Sequence, residues 1–157
     1  MNNQHESNDI INYWFDKSEP DKFRKMWFSS KEDQYIIANF KHSLTLAENK
    51  TLEHWKESID SYVALIVLLD QFSRNIYRNH NYRINDAYAL ELALEFISKF
   101  WNQEITIDKR IFVLMPLRHT FDKKYYEMIF KLTQNNNNDS QIMKKFLKKT
   151  NQIYQGI

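Results

Sequence analysis

A chain of 157 residues, 43% hydrophobic and 15% aromatic, has the size of one domain and ample material for a buried core, which argues against disorder. The formal net charge of +2 steers no polyanion strongly, so bulk charge does not point to nucleic acid. The lack of cysteine excludes disulfides, thiolate zinc sites, iron–sulfur clusters and thiol nucleophiles.

The opening stretch Met1–Asp9 is polar and lacks the apolar segment of a secretion signal; residues 1–8 are expected to be flexible. The longest apolar run, Tyr62–Leu69, is closed by Asp70 and falls far short of the about 20 residues a membrane span requires. A cytoplasmic protein without a membrane segment is expected. The single glycine, Gly156, and the two prolines, Pro20 and Pro116, disfavour barrels, sandwiches and hairpins, whose turns need glycine. Helices need only an occasional left-handed residue at the end, which asparagine can supply.

The chain reads as a succession of helices. A first helix spans about Asp9 to Phe15. A short one after Pro20, a residue suited to an early helical position, carries Phe23, Met26 and Trp27 on one stripe. A longer helix starts near Ser30, with Ser30 and Asp33 as a capping pair, and Ile36, Ile37, Phe40, Leu44 and Ala47 recur at helical spacing. A turn lies around Leu52–Trp55.

The central helix, Ser61 to Tyr77, is apolar on every side over its first half and must be buried all round there. Another runs from Asn85 or Asp86 to Phe100. Asp108 is a candidate cap for the next, through Leu114, which Pro116 should bend or end. Arg110–Met115 reads as strand by composition, but a lone strand would leave its backbone unpaired, so helix is preferred. A helix marked by Tyr125, Met128, Ile129 and Leu132 ends at the loop Asn135–Asn138. A last one starts at Asp139 or Ser140. The fold expected is therefore all-α: about eight helices in a single domain over residues 1–157, consecutive antiparallel hairpins stacked with short links.

The most distinctive segment is Asp70-Gln71-Phe72-Ser73-Arg74-Asn75-Ile76-Tyr77-Arg78. Asp70 and Arg74 are one helical turn apart and share a face, with Arg78 a turn further. Burying charge is costly unless it is paired. The segment is thus either a structural ion pair pinning helices, the favoured reading, or the wall of a polar pocket. In the pocket reading Arg74 and Arg78 donate to an anion. Arg118 and His119 follow Pro116; His119 either satisfies backbone groups freed by the proline or faces Asp70 across a cleft as acid, base or ligand contact. Asp86 is read as a helix N-cap rather than a site residue. Trp14-Phe15 and Trp27-Phe28 are read as core or a lid on the core, in preference to an aromatic ligand platform, and Lys144, Lys145, Lys148 and Lys149 as a solvated basic face.

No cofactor is expected, since no glycine-rich phosphate loop exists. No metal site is expected, since the five histidines are scattered. Ser73 lacks the context of a nucleophile.

The run Leu65–Leu69 followed by Asp70-Gln71-Phe72-Ser73-Arg74-Asn75 resembles the signature of the bacterial family called domain of unknown function 924. Tyr13-Trp14-Phe15, Trp27-Phe28, Asp86, and Phe112 with Met115-Pro116 and His119 resemble its other anchors, over about Ile10 to Leu132. The resemblance implies a tetratricopeptide-like helical stack and no particular activity. Ser73 stands where the family has proline, and Thr120-Phe121 where it has Ser-Glu. The end Tyr154-Gln155-Gly156-Ile157 lacks its closing Arg-Phe-Pro-His-Arg-Asn segment, so a binding-only member is expected if that segment completes an active site.

Together these features favour a non-catalytic binding module. Its cleft of Asp70, Gln71, Arg74, Asn75, Arg78, Arg118 and His119 would take a small anionic ligand or an acidic peptide end. An enzyme using Asp70 and His119 as acid–base partners, with Arg74 and Arg78 stabilising negative charge, and a nucleic-acid or scaffold protein using the C-terminal lysines are the alternatives.

Overall fold

A computed structural model describes residues 3–134 and 139–157; the expected Asn135–Asn138 loop lies outside them. Eight α-helical segments occur in order: α1 (Asn3–Trp14), α2 (Asp33–Glu48), α3 (Ile59–Val67), α4 (Ser73–Ile76), α5 (Asp86–Phe100), α6 (Ile107–Arg118), α7 (Lys123–Thr133) and α8 (Gln141–Gln155). There is no strand among the described residues, and Arg110–Met115 is helix.

α1 starts before the expected Asp9. Ser7 is buried, and Glu6 accepts a hydrogen bond from Ser43 on α2, so the end expected to be flexible is tied down from there. No helix follows Pro20. Residues 16–29 form turns held by side chains instead: Arg24 donates to the Tyr13 carbonyl (2.7 Å), and the Trp27 indole donates to the Trp14 carbonyl (2.9 Å). Asp21 caps α8, accepting from Ser140 Oγ and from the backbone of Gln141 and Ile142. These long-range bonds outweigh a weak local helical preference. Ser29, not Ser30, caps the turn before α2, accepting from Lys31 N. Thr106 precedes α6 and donates to Asp108. Pro116 sits in the last turn of α6, which continues to Arg118.

The centre of the molecule is the Tyr62–Leu69 run, each residue at most 1% exposed, as its all-round apolarity requires. α1, α2, α5 and α6 all pack on the rod it belongs to. That rod is not a plain α-helix. Residues Leu68–Phe72 form a π turn, in which Ser73 N–H reaches back five residues to the Leu68 carbonyl. α3 and α4 join through it, so the described residues hold seven helical rods. π turns inside α-helices recur at functional sites, and this one carries Asp70. In the second half neighbours pack in sequence, α5 on α6, α6 on α7, α7 on α8; in the first half α1 lies along α3.

Candidate functional site

The residues singled out from sequence fall into three places. At the π turn, Asp70 is fully buried. Its carboxylate accepts from Gln71 Nε2 (2.7 Å), hydrogen-bonds to His119 Nδ1 (2.8 Å), and has Arg74 Nη1 at 3.6 Å. Arg74 also donates to the Asp70 carbonyl (2.9 Å) and forks onto Asp86 (2.8 and 3.1 Å). Arg83 closes the ring, donating to Asp86 (2.9 Å) and to the His119 carbonyl (2.7 Å). Burial raises the cost of ionising Asp86, but hydrogen bonds from Arg74 and Arg83 outweigh it and hold its carboxyl below the usual range.

Asp86 is therefore a member of the network, not the side-chain cap read from sequence; Asn85 precedes α5 without a side-chain cap bond. Its position at the start of a helix, and the family's acid there, were the available signals. Arg83 was not singled out, and Asp33 was read only as part of a helix cap.

Asp70 itself is sealed from solvent, whereas Arg74, Asp86 and His119 keep 21%, 18% and 16% of their side-chain exposure and Arg83 keeps 46%. Asp70, Asp86 and His119 do bring ligand atoms within 4.8 Å of one another. The Arg74 guanidinium already supplies the positive charge a metal ion would bring there. Ser73 is buried and accepts from Asn85 Nδ2 (2.8 Å), so it stands as a structural hydroxyl.

Asn75 and Arg78 belong to a second place. Asn75 Nδ2 donates to Asp33 (2.8 Å) and Arg78 forks onto the same carboxylate (2.6 and 2.9 Å). They tie α4 to α2 near the surface, with the Arg78 side chain 40% exposed. α4 ends at Ile76 and Arg78 lies in the turn beyond it, so Arg78 does not continue the Asp70 face as i, i+4 spacing implied.

Arg118 opens the third. A groove of about 350 Å³ lies between the turns at 16–29, α6 and α8. Phe23, Trp27, Phe28, Phe112 and Phe146 wall it, and Lys145 and Lys149 stand on it. Phe28 holds a left-handed backbone (φ 64°), which bulky residues rarely adopt, and packs on Phe112. The Arg118 guanidinium lies 4.7 Å over the Phe146 ring. Its Nη1 makes two long hydrogen bonds, to the Phe146 carbonyl (3.4 Å) and Thr150 Oγ1 (3.3 Å). Among the described residues no carboxylate forms a salt bridge with it; burial pushes it down from its ordinary value, against the opposing through-space effect of Tyr126 and the buried Asp70. Of the aromatic pair Trp27-Phe28, read as core or lid of the core, Trp27 is buried and Phe28 half exposed.

The profile of the family described as bacterial protein of unknown function (DUF924) matches residues 10–156. The chain belongs to the DUF924 family. A solved structure of a protein of unknown function from Agrobacterium tumefaciens is similar to it, with 26% identity, a TM-score of 0.80, and coverage of 98% of this chain and 83% of that one. No curated protein matches the sequence. DUF924 membership thus accounts for the architecture and leaves the chemistry to be read from the residues. No helix among the described residues is long and apolar enough to cross a membrane.

Proposed function

We propose that this protein is a non-catalytic binding module for a small anionic ligand with an apolar body, and that Arg118, rather than Arg74 or Arg78, receives the anion. One observation carries the reading: a largely buried arginine that makes no salt bridge among the described residues, with Asp70 acting on it only through space, faces an apolar groove with two further cations on it. Buried charge is stable only when neutralised, and guanidinium suits carboxylate and phosphate. A cavity of about 350 Å³ is within the range of small-molecule sites. Asp70, Gln71, Arg74 and His119 then serve as the frame that fixes the end of α6, and Lys145 and Lys149 belong to the ligand site.

The test is thermal unfolding with decanoate, 2-naphthoate or inorganic phosphate added in excess. At least one of the two carboxylates should raise Tm, since a ligand that binds only the folded state stabilises it by mass action. Arg118→Met should keep the circular-dichroism spectrum and lose the rise. No rise with either carboxylate overturns the reading.

A second reading, acid–base catalysis, is favoured by the Asp70–His119 hydrogen bond, the arrangement that orients a histidine base. Against it stand the full burial of Asp70 and the engagement of Ser73 with Asn85.

A further inference from the structure

Resting on the groove as the binding site, we infer the class of its ligand: a flat aromatic ring carrying a carboxylate, in preference to an alkyl-chain acid. Five of the side chains lining the groove are aromatic, and two of them, Phe23 and Phe28, are exposed at 37% and 53%. Phe28 is stacked on the buried Phe112 (27°, centroids 5.9 Å apart) and tilted against Phe23 (32°, 6.3 Å), and Trp27 stands across Phe112 at 71° and 5.0 Å. A flat ring laid against Phe23 and Phe28 extends this aromatic cluster and gains the offset or edge-to-face contacts that the aromatic quadrupole favours. An alkyl chain of equal size gains only the area it buries.

The head group follows from the donors Arg118 has left. Nη1 is used for the Phe146 carbonyl and Thr150 hydroxyl, while Nε and Nη2 make no hydrogen bond to the described residues. Nε–H and Nη2–H lie on the same edge of the guanidinium, parallel and spaced for the two oxygens of one carboxylate. Stacking on Phe146 fixes the plane of that edge. Lys149, one helical turn beyond Lys145 on α8, adds positive charge to the same groove. A ring with its carboxylate in the ring plane is complementary to a planar cation set among rings.

Calorimetric titration of the full chain with 2-naphthoate, decanoate and inorganic phosphate tests this. 2-Naphthoate should bind about tenfold more tightly than decanoate, a difference of one power of ten in Kd, and phosphate more weakly than either. Phe28→Leu, at a half-exposed position, should weaken 2-naphthoate binding by a larger factor than decanoate binding, narrowing the ratio of the two Kd values. Decanoate binding as tightly as 2-naphthoate, or phosphate doing so, overturns the aromatic assignment and leaves the groove reading standing. Failure of both carboxylates to bind overturns both.

Discussion

Arg118 and His119 are neighbours at the end of α6, and they lead to opposite surroundings. His119 joins a ring of charges in which each group has its partners: Asp70, Arg74, Asp86 and Arg83. Arg118 points into a groove walled by rings, with two long bonds and no salt bridge among the described residues. Both places bury charge beside the same core. The difference is the pairing of charge. A network whose carboxylates are each held by cationic partners acts as a latch between α4, α5 and α6. An arginine without a salt bridge keeps its charge and its Nε and Nη2 donors in reserve. A cluster of conspicuous charged residues is thus a poor guide to a binding site until its partners are counted.

The largest test of that contrast is Asp70→Ala. Removing a fully buried carboxylate leaves Gln71 and His119 without their shared hydrogen-bond partner and Arg74 without one of its counter-charges, and should cost about 3–5 kcal/mol in urea unfolding. A cost below about 1 kcal/mol would break the view of the network as a latch.

Asp86→Asn comes next. It weakens charge-assisted bonds from two arginines and should cost about 1.5–3 kcal/mol. It also carries a pH signature. The folded-state pKa of Asp86 is depressed, since the hydrogen bonds from Arg74 and Arg83 prevail over burial. Its stabilisation is therefore complete above the unfolded-state value, about 3.9, and is lost as pH falls from there through the folded value. Asp33, depressed by its hydrogen bond from Arg78, contributes to the same acid limb. Asp86→Asn should make the fall in stability below about pH 4 shallower than in the parent; an unchanged slope would show that Arg74 and Arg83 do not hold this carboxylate.

Arg78→Ala should have the smallest effect, about 0.2–1 kcal/mol, because its pair with Asp33 is partly solvated. A cost comparable to that of Asp70→Ala would erase the distinction between the inner network and the outer pair.

Much of this architecture is legible in the residues themselves. The all-round apolarity of Tyr62–Leu69 requires a buried central helix, and the scarcity of glycine with the periodic apolar stripes requires an all-helical chain. The closeness of Asp70 to His119 was reachable as one of two readings, because a buried carboxylate must find a partner. The misreadings share one cause. A helix after Pro20, a cap at Asp86 and a common face for Asp70 and Arg78 are local inferences, and each was overruled by a contact from elsewhere. Asp21 reaches Ser140, Asp86 takes Arg74 and Arg83, and Arg78, past the end of α4, takes Asp33.

Sequence by itself determined the fold class, the buried centre and the family, since these depend on periodicity and on a run of residues read in order. Which charges are satisfied and which are left facing a groove was decided only by the tertiary structure. Pairing joins residues from distant parts of the chain, Arg118 with Phe146 and Thr150 or Asp70 with His119, and spacing along the chain does not encode it.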